Sequence, residues 1–291
     1  MVEKKYHKKF PWGETIVILL IVLTIGASVG FFVDNMKFAD YVVETNAFFA
    51  PFEFYEAQNI VGVDVEIIDR VAEKMGKTFS IKNVEFDVII DNVEAGKIAD
   101  AGAAGLTITP ARLKKVDFSI PYYTSRQYVI YSKKWEVELR DGHITWNMLA
   151  GKTLGSQMGS TGYLFTADEI SDGVLKDTGT ILKGLDSHQL ASDAIGSHIV
   201  DAVIADELAA EFIVGKNSGL ALAPLYYEGE TISDDEAVEE SYAIAVNKNH
   251  PELLDAFNEV LTEMIKKDPK GISEIDRLVI KYMDLAEEID E

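Results

Sequence analysis

The pattern of apolar and polar positions along the chain alternates short strands with helices. After about residue 38, strand-type runs at Tyr41–Thr45 and Ala101–Thr107 enclose Val63–Met75, whose apolar residues recur every four positions before Gly76. A recurrence of this kind predicts a helix, and the glycine after it predicts the helix end. The β-α-β order indicates a mainly parallel sheet covered by helices, which is an α/β fold.

The same order starts again in the second half of the chain. Strand-type runs at Lys152–Ser156 and Val200–Ala205 alternate with helical stretches, and a strand at Tyr242–Val246 precedes two terminal helices. Two similar halves joined by extended segments predict two lobes with a ligand cleft between them, because ligands of open α/β sheets bind at the carboxyl ends of the strands. The predicted division assigns residues 37–131 and 243–285 to lobe 1, residues 132–242 to lobe 2, and residues 286–291 to an acidic tail.

Residues 1–36 have a different character from the rest. Four lysines within the first nine residues precede Thr15–Val33, an uncharged run of 19 residues. This length is close to the roughly 20 residues with which a helix crosses the hydrocarbon layer. Because basic flanks stay in the cytoplasm, the remainder of the chain is expected outside. Two interpretations stay open: a membrane-anchoring hydrophobic helix, or a signal peptide cut near Ser28 and Gly30.

Composition excludes several classes of function. The apolar fraction is 47%, the formal net charge is -22, and the chain has no cysteine. The apolar fraction argues against disorder. So acidic a surface repels nucleic acid, and no nucleic-acid partner is expected. The lack of cysteine excludes disulfides, thiolate metal sites and a cysteine nucleophile.

Polar residues that suit a charged small molecule stand after the predicted strands. Arg112 follows Ala101–Thr107, and a guanidinium binds a carboxylate through two parallel hydrogen bonds. Gly159–Gly162 lies between a strand and a helix, where free backbone amides attract an anion. Asp206 follows Val200–Ala205 and suits a cation. The ordinary interpretations of these residues stay open, namely a surface arginine, a turn and a helix N-cap.

Six segments stand out along the chain: Asn46–Tyr55 (NAFFAPFEFY), Val61–Gly76, Ala104–Arg112 (AGLTITPAR), Val116–Tyr123 (VDFSIPYY), Val200–Glu207 and Tyr242–Lys248. In their order and spacing they resemble the polar-amino-acid solute-binding proteins of ABC importers. The likeness covers about residues 38–285. It implies a two-lobed fold like that of the periplasmic binding proteins and an extracytoplasmic location. It also implies a free amino acid as ligand, an ABC permease as partner, and no catalytic activity.

The resemblance also implies a role for each site residue. The ligand's α-carboxylate is expected on Arg112, Thr107, Ser160 and Thr161, its α-ammonium on Asp206 and the carbonyl of Gly105, and its side chain among Asn46, Phe49, Phe86 and Gln157.

Two other functions stay open on this scaffold. Some family members are cyclohexadienyl or arogenate dehydratases, which need a general acid in the cleft; here Glu207 and Glu211 follow Asp206 on a helix that points them away. The second is a ligand sensor that acts through a membrane partner.

The sequence has no metal-binding motif. The five histidines form no HExxH motif, and the acidic run Asp234–Glu240 has the character of a solvated surface loop. No metal or cofactor is therefore expected.

The expected side-chain pocket favours an uncharged polar amino acid such as glutamine over a basic one. By the resemblance, relatives that bind basic amino acids carry an acid where Asn46 stands, and an acid offsets the cost of burying a second positive charge. Asn46 and Gln157 both donate and accept hydrogen bonds, which suits an amide or a hydroxyl. The alternative is that Asn46 only caps the following turn.

A ligand held by residues of both lobes should bring the lobes together. The bending for this closure is expected near Tyr131–Lys133 and Glu240–Tyr242.

Overall fold

The computed structural model describes residues 39–289. Both interpretations of the N-terminal segment, and the predicted boundary after residue 36, lie outside this range. Among the helices of residues 39–289, none combines the length and the apolar run that a bilayer crossing requires.

The described chain alternates strands and helices throughout. In chain order the strands are β1 (Tyr41–Thr45), β2 (Phe48–Phe49), β3 (Glu53–Glu56), β4 (Asn59–Val61), β5 (Phe79–Asn83), β6 (Ala101–Gly102), β7 (Asp117–Phe118), β8 (Tyr123–Ser132), β9 (Ile144–Thr145), β10 (Thr153–Gln157), β11 (Ile181–Leu185), β12 (Ala202–Asp206), β13 (Leu220–Tyr227), β14 (Glu236–Ala237), β15 (Glu239–Tyr242) and β16 (Ala245–Val246). The α-helices are α1 (Val63–Met75), α2 (Ile89–Ala95), α3 (Pro110–Lys115), α4 (Thr161–Ser171), α5 (His188–Gly196), α6 (Glu207–Lys216), α7 (Pro251–Met264) and α8 (Glu274–Ile289). Short 3₁₀ helices occupy Phe86–Val88, Trp146–Leu149 and Ile232–Asp234.

Two mixed sheets organise the two lobes. The first has the order β5-β1-β6-β16-β7, with β1 parallel to β5 and β6, and β16 antiparallel to β6 and β7. The second has the order β11-β10-β12-β8-β13-β14, with β10 parallel to its neighbours and β8 antiparallel to β12 and β13. The expectation of mainly parallel sheets is therefore wrong at β8 and β16. Each of these strands runs antiparallel to its neighbours because it brings the chain in from the other lobe.

The long strand β8 connects the lobes. Its first part, Tyr123–Arg126, pairs with β15, whereas Gln127–Tyr131 pairs with β12 in the second sheet. The connection therefore lies near Tyr123–Arg126, and the predicted division at residues 131 and 132 falls inside β8. An uninterrupted strand pattern has no break that marks where one lobe ends. The second expected crossover, Glu240–Tyr242, lies within β15.

Strand β12 gives the site a rigid support. Ala202 and Ile204 belong to one apolar cluster, while Val203 and Ala205 belong to another on the opposite face of the sheet. All five residues of β12 are buried, as in the central strands of sheets that are covered on both faces. Asp206 ends this strand, so its backbone is held by the surrounding core.

Candidate functional site

A small cavity lies between the lobes. Its lining is Asn46, Phe49, Phe86, Ala104, Gly105, Thr107, Gln157, Ser160, Thr161, His188 and Asp206. The sequence predicted each of these as a site residue except Ala104 and His188. The structure thus brings the expected residues together around one space, with Arg112 directly behind Thr107, although their individual ligand roles remain predictions.

Arg112 is fixed in place at the start of α3. Thr109, the N-cap of this helix, accepts a hydrogen bond from the backbone N–H of Arg112 at 3.2 Å, and Pro110 follows it. The guanidinium donates to the carbonyl of Thr107 at 2.8 Å and to the carbonyl of Gly159 at 2.9 Å. These two bonds leave further donors of the five on a guanidinium for a carboxylate. Because Gly159 belongs to the second lobe, Arg112 also holds the lobes together.

Burial and nearby carboxyl groups set the charge of Arg112. Burial lowers the pKa of Arg112 to about 10, and Glu240 and Asp206 oppose that shift. The guanidinium is therefore charged at neutral pH. Its central carbon lies 5.7 Å from the centre of the Phe86 ring, which is within the range of a cation–π contact. Arg112 is a buried cation rather than the surface arginine of the ordinary interpretation, since only 7% of it is exposed.

The N-terminus of α4 reaches the cavity from the second lobe. Ser160 caps this helix by accepting a hydrogen bond from the N–H of Tyr163 at 3.2 Å, and Thr161 begins it. Gly159, just before the cap, has a φ of 77°, and a Cβ there would lie 2.9 Å from the Cα of Asp87 in the first lobe. Glycine at this position therefore permits the close approach of the lobes.

Asp206 does not cap the helix that follows it. Its carboxylate makes no cap hydrogen bond. It accepts a bond of 2.6 Å from the hydroxyl of Tyr242 and another from the amide of Gln127. The N-cap interpretation of its side chain is therefore wrong, and the carboxylate lines the cavity instead.

Glu240 is the main site residue that the sequence reasoning missed. It is 4% exposed, and its carboxylate accepts hydrogen bonds from Thr107 at 2.7 Å, from Thr161 at 2.5 Å and from Gln127 at 2.7 Å. The expectation of a solvated surface loop is wrong at this residue, because β15 carries it between the lobes. Val238, Glu240 and Tyr242 are all buried. This period of two is the signal that could have identified it.

The position of Glu240 changes its protonation. Burial, with the nearby charge of Asp206 as the second cause, raises the pKa of Glu240 to about 8. The carboxyl group therefore keeps its proton to a higher pH than an ordinary glutamate does. Two carboxyl groups share the amide of Gln127, and a proton on one of them relieves their repulsion.

The opposite end of the cavity is formed by neutral groups. The side chain of Asn46 donates to the carbonyl of Val84 at 2.8 Å and accepts from Gln157 at 3.0 Å. Gln157 also donates to the carbonyl of Asp186 at 3.3 Å. These partners contradict the alternative that the Asn46 side chain only caps the turn after it. The bond between Asn46 and Gln157 also joins the two lobes.

Phe49 forms an apolar wall of the cavity. Its ring stacks on Phe52 with centres 5.3 Å apart and lies 5.8 Å from the ring of His188. Gly105 has a φ of 54°, and a Cβ there would lie 2.4 Å from the Phe49 ring. Only glycine lets this ring pack against the backbone beside the expected ammonium position. The N–H of Gly105 donates to the buried Asp64 at 3.1 Å, which fixes the loop.

Comparison with known proteins identifies relatives of this chain. Residues 41–283 match the model of the bacterial extracellular solute-binding proteins, family 3. The arginine-binding extracellular protein ArtP of Bacillus subtilis is 32% identical over 226 residues, which are 77% of this chain and 80% of ArtP.

Solved structures with this fold are similarly related in sequence. One is the amino acid ABC transporter substrate-binding protein AbpA of Streptococcus pneumoniae bound to L-arginine, with a TM-score of 0.69, 30% identity and coverage of 84% of this chain and 94% of AbpA. Another is an ancestral arginine-binding protein bound to glutamine, with a TM-score of 0.63, 31% identity and coverage of 84% and 96%. The two neighbours thus hold different amino acids in related scaffolds.

Proposed function

Because this chain belongs to family 3 of the bacterial extracellular solute-binding proteins, we propose that it binds a free L-amino acid outside the cytoplasm and delivers it to an ABC importer. The observation that carries the proposal is the arrangement of buried Arg112 and buried Asp206 beside one cavity. An amino acid carries opposite charges on the two groups of its α-carbon. Each charge then meets its counter-charge when the ligand is buried.

The charge balance of the site supports a zwitterionic ligand. A charge buried without a partner costs several kcal/mol, so a cavity accepts an ion only where the counter-ion is fixed. Arg112 supplies the cation, and the backbone N–H groups at the α4 N-terminus supply further donors, whereas the hydroxyls of Thr107 and Thr161 already donate to Glu240. Asp206 supplies the anion, with the carbonyl of Gly105 beside it. Phe49 and Phe86 flank the ligand's apolar atoms.

We further propose an uncharged polar side chain on the ligand, with glutamine favoured. Asn46, Gln157 and His188 line the cavity away from Arg112, and Asp206 is the one carboxylate among the lining residues that the structure describes. Arginine is the competing candidate, because ArtP is named as an arginine-binding protein. A guanidinium at the neutral end would be buried without a carboxylate, and that cost favours glutamine.

The location and the partners follow from the same proposal. Family membership supports an extracytoplasmic site of action. We propose that the N-terminal segment, residues 1–36, holds the protein at the membrane beside its permease, with cleavage and release as the alternative. The dehydratase alternative gains no support, since Glu207 accepts a hydrogen bond from Tyr128 at 2.9 Å and neither Glu207 nor Glu211 lines the cavity.

A thermal-shift screen of the full-length protein with the twenty amino acids tests this function. A ligand at 100 times its dissociation constant should add about 2.7 kcal/mol to the free energy of unfolding. Competition among glutamine, arginine and glutamate then tests the side-chain class. Asn46→Asp should move the preference toward arginine. Failure of every amino acid to raise the melting temperature would refute the function, whereas tightest binding of arginine by the wild type would refute only the side-chain class.

A further inference from the structure

His188 is a cavity residue to which no role has yet been assigned. It is the first residue of α5, where the N-cap Ser187 accepts a hydrogen bond from the N–H of Leu190 at 3.1 Å. This cap fixes the first turn of the helix. The imidazole points inward, is 5% exposed, and lines the cavity beside Asn46, Gln157 and Phe49.

The Nδ1 atom of His188 is buried and has no hydrogen-bond partner among residues 39–289. A buried polar atom without a partner loses its hydration and gains nothing in return. Such atoms are rare in folded proteins, so each one calls for an explanation. A group that enters the cavity can supply the missing partner.

Burial keeps this imidazole neutral. It lowers the pKa of His188, although the charge of Asp206 opposes the shift. A neutral imidazole has one donor and one acceptor nitrogen, so it pairs with an amide or a hydroxyl without adding charge. Its neutral neighbours Asn46 and Gln157 have the same property, but their side chains already bond to each other and to backbone carbonyls.

A second pocket lies on the other side of the same wall. It has a volume of about 280 Å³ and is lined mainly by apolar side chains, among them Phe48, Tyr55 and Phe212. Phe49 and His188 line both spaces. They therefore separate the inner cavity from the outer pocket, and the imidazole of His188 borders both.

We infer that His188 is a specificity-determining residue whose Nδ1 forms a hydrogen bond with the uncharged polar end of the ligand's side chain. The inference rests on the proposed function and deepens it. The ligand class is an L-amino acid that ends in an amide or a hydroxyl. A site built to pair such a group discriminates strongly against analogues that lack it, because its own polar atoms are then left unpaired.

The test compares L-glutamine with L-methionine, an apolar amino acid of similar length, by calorimetry on the full-length protein. His188→Leu should weaken glutamine binding about tenfold and change methionine binding less than about threefold. His188→Asn should restore glutamine binding to within about threefold of wild type, because its amide stands close to the position of Nδ1. Gln189→Leu is the matched control, since Gln189 lines only the outer pocket. His188→Phe replaces the leucine variant if that variant does not fold.

Each outcome separates the inference from the function on which it rests. Equal weakening of glutamine and methionine without rescue by asparagine would make His188 a packing residue and overturn the inference. Unchanged glutamine binding in His188→Leu would also overturn it, as would a wild-type preference for arginine over glutamine. In all three cases the protein still binds amino acids. If calorimetry detects no amino acid on the wild type, the proposed function itself is wrong.

Discussion

The two ends of the cavity recognise a ligand in different physical ways. The charged end consists of Thr107, Arg112, Thr161, Asp206 and Glu240, and the neutral end consists of Asn46, Gln157 and His188. At the charged end each carboxyl group already accepts several hydrogen bonds from the protein. At the neutral end the amides satisfy each other, and one imidazole nitrogen has no partner within residues 39–289.

This difference separates affinity from selectivity. Every amino acid has the same carboxylate and ammonium, so groups that are fixed in advance bind these parts at little further entropic cost. Charge-assisted hydrogen bonds at the charged end should therefore provide most of the affinity. The neutral end contributes less energy and decides which side chain is accepted. Mutations at the two ends should accordingly have effects of different size and kind.

The largest effect is expected from Arg112→Ala. A ligand carboxylate would then be buried without its cation, which should cost at least about 3 kcal/mol, or on the order of 100-fold in affinity. Calorimetry with the best ligand from the screen measures this loss. Arg70→Ala is the matched control, because Arg70 pairs with Glu274 at the surface and is outside the cavity. Affinity equal to wild type in Arg112→Ala would show that the carboxylate binds elsewhere.

Asp206→Asn should produce the next largest effect. The change keeps the shape of the side chain and removes the charge that faces the ammonium, so affinity should fall more than tenfold. The melting temperature of the ligand-free protein should also fall, because an amide can accept only one of the two buried hydrogen bonds that Tyr242 and Gln127 donate to Asp206. Asp193→Asn, an exposed change on α5, is the control. A lower melting temperature with unchanged affinity would restore the purely structural interpretation of Asp206.

The sequence was informative where local patterns decide the structure. Helix α1 spans Val63–Met75 as the apolar spacing predicted, and Gly76 ends it with a φ of 62°. Arg112 also follows from a local signal, since Thr109 and Pro110 define the start of its helix. Resemblance then identified the cavity residues, because motif order reflects the order of the site-bearing loops.

The sequence was misleading where partners lie far apart along the chain. Glu240 belongs to an acidic run that has a surface composition, but pairing of β15 with β8 buries it beside residues more than 75 positions away, Thr107 and Thr161. His188 is one of five scattered histidines, and no local pattern indicates that its ring turns inward. Such contacts depend on the packing of the lobes, which periodicity does not encode.

Glu240→Gln should change the pH dependence of stability. The folded protein holds the Glu240 proton up to a pKa of about 8, whereas the unfolded chain releases it near its ordinary value. Raising the pH between these values therefore favours unfolding, by up to about 1.4 kcal/mol per pH unit for one proton. Urea unfolding of ligand-free protein between pH 6.5 and 8 should show a shallower decline in the variant. Glu239→Gln, an exposed neighbour on β15, should retain the wild-type slope.

Two other buried carboxyl groups, those of Asp64 and Glu53, also contribute to the change of stability with pH. Burial also raises the pKa of Asp64, to about 6, so its contribution to the slope is mostly complete below the chosen pH range. Glu53 acts in the same direction in both proteins, because burial raises its pKa as well. The difference between wild type and Glu240→Gln therefore reports the proton of Glu240 together with its interaction with Asp206. Parallel pH profiles would mean that Glu240 is ionised in the folded protein.

The smallest effect concerns the closing of the lobes over both ends of the cavity. Bonds from Arg112 to Gly159 and from Gln157 to Asn46 span the lobes, so a ligand that fills the cavity should favour this closed arrangement. Small-angle scattering should then give a smaller radius of gyration with ligand. We expect the bending near Tyr123–Arg126 and in β15 rather than at Tyr131–Lys133, which lies beyond the connection between the lobes.

Gly159→Ala tests this closure against a matched glycine. Its Cβ would press on Asp87 across the cleft, 2.9 Å from the Cα, whereas a Cβ on Gly179 would meet no atom of the described residues within 4 Å. The two glycines have similar φ angles, 77° and 82°. Both alanine variants therefore carry the same backbone strain, of about 1–2 kcal/mol, but only Gly159→Ala obstructs the approach of the lobes.

The Gly159→Ala variant should bind ligand a few-fold more weakly and contract less on binding, while Gly179→Ala contracts as wild type does. Equal contraction in both variants would mean that binding does not require the close contact at Gly159.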